Sequence, residues 1–513
     1  MANVANASEH ERELARRIRL LEADNEFQRQ QLKTLEKERL ELKEKKQNLE
    51  DEKRALEDDN EDLEQEKKAL EQENKELKTQ LARACKTSRN SSKRPSSDIV
   101  KPRAKRAAGE RKIGGQPGHP MHERTPFTPE EIDRRVYYAL NCCPDCHGAL
   151  RPCEGMLPVV VQQVELVQEP VQKSEHNALW YWCEKCQKRH CSLPPEVDKG
   201  GLCGPVLTAW IAYLKGGCHA SFDTIRKFVR DVLGVRICRG QLAKVIAKVS
   251  AALADPWEEI RQLLPLLELL NVDETGHREN GRRMWTWCYR AREYILFKIT
   301  QTRGTAELLE MLGADFAGVI GCDFFSSYRC YMENFGGVLQ FCLAHFIREV
   351  KFLLELPDPL TQRYGQRLLE SLRQLFSLIH QRQQWSAAEF QARLKAQRRE
   401  ILRVAGERVP ANREARKLAE RLRRYGKSYF LFITTPGLDP TNNIVEQAIR
   451  FVVIDRLVTQ GTRSEKGRRW CERIWTVIAT CTQQGRSAFH FIRDAVAAYF
   501  NATPAPSLCP APT

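Results

Sequence analysis

Residues 268–290, ELLNVDETGHRENGRRMWTWCYR, decide the fold. The apolar run from Leu263 to Val272 has the length and bounding signals of a buried strand, and it ends on Asp273. Asn280-Gly281 is the strongest short-range hairpin signal, with Trp285, Trp287 and Tyr289 alternating beyond it. Tyr294 to Thr300 extends the meander as a third strand. Asp273 is therefore expected inside a sheet, close to its mouth, on the central strand. A carboxylate there costs free energy unless a cation compensates it.

Two more acids complete a pattern. FAGVIGCDFFSSY (316–328) reads as a short strand ending in Asp323, and DPTNNIVEQAIRFVVI (439–454) as a capped helix with Glu446 in its first turn. Each has a plain explanation: Asp323 could cap the next helix, Asn443 and Glu446 could form a capping box, and Asp273 could sit in a turn. Together, two strand-end aspartates and a helical glutamate are what a pair of Mg²⁺ ions needs. Hard cations take oxygen ligands, and two of them about 4 Å apart stabilise attacking and leaving oxygens in phosphoryl transfer.

The motifs VDETG (272–276), GCDFFSSY (321–328), CLAH (342–345) and PTNNIVEQAIR (440–450) resemble the transposases of the insertion-sequence 66 family. That resemblance implies a ribonuclease-H-like core with a DDE triad at Asp273, Asp323 and Glu446. It implies two Mg²⁺ ions, with Mn²⁺ able to replace them, and small accessory proteins encoded by the same element. Cys342 and His345 match the Cys-x-x-His signature of related enzymes. His345 is then either a group near the scissile phosphate, in contact or proton transfer, or a buried structural histidine. GGQPGHP (114–120) is similar to a block the family carries there. His277 departs from the aromatic residue expected at its place, which bears on substrate contacts.

The 513 residues exceed one core, so three or four domains are expected, in an α+β multidomain chain. A net charge of +15 favours a polyanionic partner, here double-stranded DNA. The N-terminal MANVANASEHERELARR lacks the apolar core of a secretory signal, and the longest apolar run is half a membrane span. A cytoplasmic, nucleoid-associated bacterial protein without membrane contact is expected, its eighteen cysteines reduced and some on metal.

In chain order, 1–86 carries leucines at seven-residue intervals (Leu14, Leu21, then Leu35 through Leu77) with polar residues such as Asn25, Asn60 and Asn74 at the matching a positions. That predicts a parallel coiled-coil homodimer. Residues 87–128 form a flexible basic linker in which Lys101, Arg103, Lys105 and Arg106 can meet phosphates, or a merely solvated tether. In 129–200, Cys143 and Cys146 with Cys183 and Cys186 give two Cys-x-x-Cys knuckles, a structural Zn²⁺ site; Cys142, His147, Cys153, His190 and Cys191 are spare ligands. Residues 201–258 read as three helices in a helix-turn-helix, Lys244 and Lys248 exposed on the last, or as a plain packing module.

The core is expected in two parts, 259–352 and 433–503, around an all-helical insertion at 353–432 with basic faces along DNA. Arg450, Arg463, Lys466, Arg468 and Arg469, beside Trp470, suit a phosphate backbone. A last helix over Trp475–Cys481 packs on the sheet, and the tail 504–513 is disordered by composition. The function that follows is metal-dependent cleavage at transposon ends and strand transfer. Its rivals are a decayed, non-catalytic DNA-binding protein and a nuclease that cuts without joining.

Overall fold

The computed structural model describes residues 2–87, 90, 127–132, 171–176, 181–183, 188–190 and 193–509, with backbone alone for 2–10 and the two short 180s segments. Lys101, Arg103, Lys105, Arg106, Cys143, Cys146 and Cys186 lie outside them, as does the side chain of Cys183. The zinc and linker expectations therefore lie outside the described residues. Two compact units are present, one of residues 1–86 with 352–366, the other of the remainder.

The first unit is built on α1 (Ala2–Ala84), 83 residues without an interior Gly or Pro. Lys46–Glu50 and Lys53–Glu57 pair at i,i+4 along it, each contributing only a few tenths of a kcal/mol. Its seven-residue leucines all stand open to solvent, from Leu14 at 48% to Leu42 at 65% exposure. Near its end, Lys75 pairs with Asp358 at 3.4 Å and Lys86 lies over the Phe352 ring.

The second unit opens on a small antiparallel pair, β1 (Tyr181–Cys183) and β2 (Lys188–His190). Five helices follow: α2 (Pro195–Gly200), α3 (Pro205–Gly216), α4 (Phe222–Asp231), α5 (Arg239–Ala252) and α6 (Ala254–Leu263). Ser221 caps α4 by accepting the Thr224 amide, and Gly234 takes φ +64° in the turn after it. The α3–α4–α5 trio stands where the three helices are expected, but Lys248 is not exposed. It is half-buried and donates to the Lys199 and Gly200 carbonyls at the end of α2.

The five-stranded sheet runs β5-β4-β3-β6-β7, from β3 (Leu269–Glu279), β4 (Arg282–Arg290), β5 (Ile295–Thr300), β6 (Val319–Cys322) and β7 (Val338–Phe341). β3, β4 and β5 are antiparallel, while β6 and β7 run parallel to β3, which is central. The hairpin is a two-residue turn with φ +47° at Asn280 and +79° at Gly281, the backbone that favours Asn-Gly. One boundary differs from expectation. The strand begins at Leu269, because Pro265 sits in a 3-10 turn over 264–266 and cannot donate to a ladder.

In chain order come α7 (Thr305–Leu312) between β5 and β6 and α8 (Ser326–Phe335) between β6 and β7, then α9 (Leu343–Leu353), α10 (Pro359–His380), α11 (Ala387–Gly406) and α12 (Arg413–Tyr429). Between β7 and the next core helix, α13 (Asn443–Thr459), the described chain contains helices and turns only. The closing helix is longer than expected: α14 spans Glu465–Gln483, and a further helix, α15 (Ala488–Asn501), follows. The tail packs as well, through Cys509. Leu508 is fully buried, its amide donates to Glu259 at 3.2 Å, and its carbonyl accepts from Gln484.

α14 closes the exposed edge of β5. The amides of Ile299, Phe297 and Ile295 donate to Glu472 Oε1, Thr476 Oγ1 and Thr480 Oγ1 at 2.8, 3.0 and 3.1 Å. Four helical residues advance about 6 Å and two strand residues about 6.6 Å, so the two repeats stay in step. Thr476→Val keeps the shape but leaves a buried amide unsatisfied, a cost of about 1–3 kcal/mol. Thermal unfolding should show a lower midpoint, by roughly 2–4 °C per kcal/mol in a domain of this size.

Candidate active site

The candidate site lies midway along β3, at the end of β6 and at the start of α13. Parallel pairing aligns Leu269 with Val319 and Asn271 with Gly321. Two residues further along each chain stand Asp273 and Asp323, on strands that pack about 4.8 Å apart. Asp323 follows the end of β6, but Asp273 is mid-strand and paired with Cys288, not at the strand end that the apolar run predicts, because the ladder to β4 carries β3 on to Glu279. Alternation along β3 turns Asp273, Thr275 and His277 toward one face and Glu274 toward the other. Thr275 accepts from Arg456 of α13 on the first face, and Tyr328 of α8 donates to Glu274 on the second.

The segment 440–443 is bolted to β3 just before Asp273 and to the residues that follow β7. Asn442, buried, donates from Nδ2 to the Val272 carbonyl at 2.9 Å and accepts at Oδ1 from Asn271 at 2.8 Å. Its amide meets Cys342 Sγ at 3.1 Å, and the Leu343 amide donates to the Pro440 carbonyl. A Cβ at Gly321 would collide with the Asn271 amide, so the glycine at 321 is a packing requirement of this bridge. Glu446 follows one turn into α13. It does not form a capping box with Asn443: its carboxylate faces Arg348 Nη2 at 3.3 Å and His345 Nε2 at 3.6 Å.

The two aspartates hold backbone amides. Asp273 Oδ1 accepts from Glu274 at 2.8 Å, and Asp323 Oδ1 from Phe325 at 2.9 Å. Among the described residues no three His, Cys, Asp or Glu side chains are gathered closely enough to hold a metal ion as they stand. The donor set is nonetheless chemically apt for a hard cation, being three carboxylates held within a strand, just past a strand end and in the first turn of a helix. Glu446 would have to turn from Arg348 to join the other two. Nearby thiols offer no alternative nucleophile. Burial holds Cys288 and Cys322 well above the ordinary thiol range, the neighbouring aspartates adding to it, and pushes Cys342 up to about 11.

Several residues here carry no sequence signal. Glu274 is fully buried beside Asp273; it is ion-paired with Arg303 and accepts the Tyr328 hydroxyl at 2.5 Å. Arg303 Nη2 also lies 3.9 Å from Asp323 Oδ2. Arg348 sits one turn after His345 on α9. Spacing marks none of them, because each acquires its partner only when the chain folds.

The sequence pattern of the IS66 transposase family matches residues 200–469, from the end of α2 into α14 and across all three acids. The chain belongs to the IS66 transposase family. No curated protein matches it. DDE transposases generally cut DNA and join strands with divalent metals, so membership supports a transposase role for this chain and implies that it binds DNA. Among the described residues no helix is long and apolar enough to cross a membrane.

The candidate DNA cations of this transposase divide by exposure. Lys244, Arg450, Arg463 and Lys466 are exposed. Arg468 is mostly covered and pairs with Glu279 at 3.3 Å; Arg469 pairs with buried Glu472 at 3.2 Å. With Lys466 they lie on the first turns of α14, not in a loop. These two arginines already do structural work.

His277 is buried, its Nε2 3.2 Å from Thr462 Oγ1 and its ring edge-on to Trp475. Burial, with Arg456 and Arg468 nearby, lowers its pKa to about 4. The folded state thus binds fewer protons than the unfolded one between about pH 6.5 and 4, and stability falls as pH falls through that window. His277→Phe should remove that share of the slope, up to about 3 kcal/mol. The check is the difference between wild-type and variant denaturation midpoints at pH 7 and pH 4.5; equal differences at both would refute it.

Proposed function

We propose that this IS66 transposase cleaves DNA at transposon ends and transfers the strands, using Asp273, Asp323 and Glu446 on a ribonuclease-H-like core. The observation that carries the reading is the Asn442 bridge, which anchors the glutamate-bearing helix to β3 at the two residues before Asp273, beside Gly321 of β6. The sheet order, an antiparallel meander flanked by two parallel strands, supports the core assignment.

The three carboxylates would hold two Mg²⁺ ions, which when bound supply Lewis-acid stabilisation of the attacking and leaving oxygens. The chain's own groups do the rest. Arg303 holds the buried Glu274 and so fixes the backbone beside Asp273. Glu446 exchanges Arg348 for the site, which releases that guanidinium to a phosphate oxygen. His345, beside Glu446, is placed to hold or pass a proton at the scissile phosphate.

Around this core, Cys143, Cys146, Cys183 and Cys186 hold structural zinc, which metal analysis of the purified chain reads directly; a metal-free chain would remove it. The α3–α5 helices with Lys244, the cations of 101–106, and Arg450, Arg463 and Lys466 bind DNA, and accessory proteins of the element assist. The open leucine seam of α1 pairs two protomers. Leu49→Glu with Leu56→Glu should convert a dimer to a monomer in sedimentation equilibrium; a wild-type monomer would contradict the pairing.

A second reading has one observation in its favour: Glu446 rests on Arg348, and the acids are not gathered. On that reading the chain is a decayed, non-catalytic DNA binder. Purified protein with Mg²⁺ and DNA carrying the element's ends separates them. The proposal expects nicking followed by joined products, the alternative binding alone, and a plain nuclease nicks without joins.

A further inference from the structure

The face of the sheet that carries Glu274, opposite the one that carries Asp273 and α13, has an alternation of guanidinium groups and rings that reaches the end of β6 beside Asp323. Arg283, exposed near the hairpin tip, lies 4.8 Å from the Trp285 ring centre. Arg303 lies 5.1 Å from the same ring and 3.6 Å from that of Phe325. The Arg303 Nη2 is then 3.9 Å from Asp323 Oδ2. Trp285 and Phe325 are both part-exposed. The partner of Trp285 across the β3–β4 ladder is Gly276, which has no side chain to cover the indole.

We propose that Arg283, Trp285, Arg303 and Phe325 form a track that receives an unpaired DNA strand and leads it to Asp323. The inference rests on the transposase reading and deepens it, because it assigns the strand state that the site accepts. Cations bind backbone phosphates of any DNA, but only an unpaired nucleotide can offer its face to an indole, since duplex bases are already stacked. Base stacking on an aromatic ring outweighs a solvent-exposed cation–π contact. A base can therefore take the place of Arg283 over Trp285 and free that guanidinium for the adjoining phosphate. The free protein also carries an unfavourable contact that a phosphate relieves: Arg283 stands directly across the ladder from Arg278, and like charges in that position repel.

The test uses the full chain without added divalent metal, so that no cleavage intervenes. The probes are a mixed-sequence blunt duplex and the same duplex with a six-nucleotide 3′ extension containing 2-aminopurine. Wild type should bind the extended probe on the order of tenfold more tightly than the blunt one, a ratio of the size that one stacked base supplies. It should also quench the 2-aminopurine. Trp285→Ala and Arg283→Ala should lose the ratio, and Trp285→Ala the quenching, while Trp285→Phe restores both and controls for folding. A wild-type ratio near one, or a ratio that survives Trp285→Ala, overturns the track. Because cleavage is not read, failure here leaves the carboxylate site standing, and failure to nick with Mg²⁺ leaves the track standing.

Discussion

Asp273→Asn is expected to lower DNA cleavage by roughly 10³-fold or more, about 4 kcal/mol of transition-state stabilisation, while DNA binding stays near wild type. Asparagine keeps the size of the side chain and can still accept the Glu274 amide through its carbonyl oxygen, so the local turn survives. What it loses is the negative charge that a hard divalent cation requires. The site's cations Arg303 and Arg348 are paired with Glu274 and Glu446. Asp323→Asn should behave alike, since its bond to the Phe325 amide is equally available to an amide oxygen. Cleavage assays with Mg²⁺ beside electrophoretic binding assays read the two quantities separately. Activity within tenfold of wild type in either variant would take that residue out of the metal site.

Arg303→Met should be the most destabilising single change near the site. Glu274 is fully buried, and its compensation comes from the Arg303 guanidinium and the Tyr328 hydroxyl. Removing one partner of a buried ion pair strands the other charge and costs about 3–5 kcal/mol. In a domain of this size that lowers the melting midpoint by roughly 10 °C. The sign of the companion change is the informative part. Glu274→Gln combined with Arg303→Met removes both charges and leaves Tyr328 an oxygen to donate to, so most of the loss should return. A melting midpoint for Arg303→Met equal to wild type would show that the pair contributes nothing to the core. A double variant as unstable as the single one would show that Arg303 acts through packing on Trp285 and Phe325, not through charge.

Local signals carried the parts of the fold that were legible beforehand. Asn280-Gly281 fixes its turn because both residues must take positive φ. The β6 strand announces itself as an apolar run closed by an aspartate, and α13 as a helix with Glu446 in its first turn, whereas β3 runs on past Asp273 to Glu279 because its second half pairs with β4. What stayed hidden depends on partners far along the chain. Pro265 shortened the first strand by imposing a 3-10 turn, a local signal outweighed by the apolar run around it. Lys248 follows the spacing of an exposed helical face, yet carbonyls of Lys199 and Gly200, 49 and 48 residues earlier, draw it in. The tail is Pro- and Ala-rich by composition, but Leu508 finds a buried seat beside Glu259.

The site divides the same way. Charge type and element ends pointed to Asp273, Asp323 and Glu446. Nothing in the spacing distinguishes Glu274 from an exposed strand residue, and only its buried contacts with Arg303 and Tyr328 do so. Arg468 and Arg469 read as phosphate ligands because clustered cations usually are solvated; their pairing with Glu279 and Glu472 is a further contact that the cation cluster alone does not signal.

The most direct measurement is anomalous scattering from Mn²⁺ in crystals of the chain bound to DNA. The account predicts manganese between the carboxylates of Asp273 and Asp323, with Glu446 turned away from Arg348 to meet it. Manganese bound elsewhere, with Glu446 still on Arg348 while DNA occupies the protein, would contradict it.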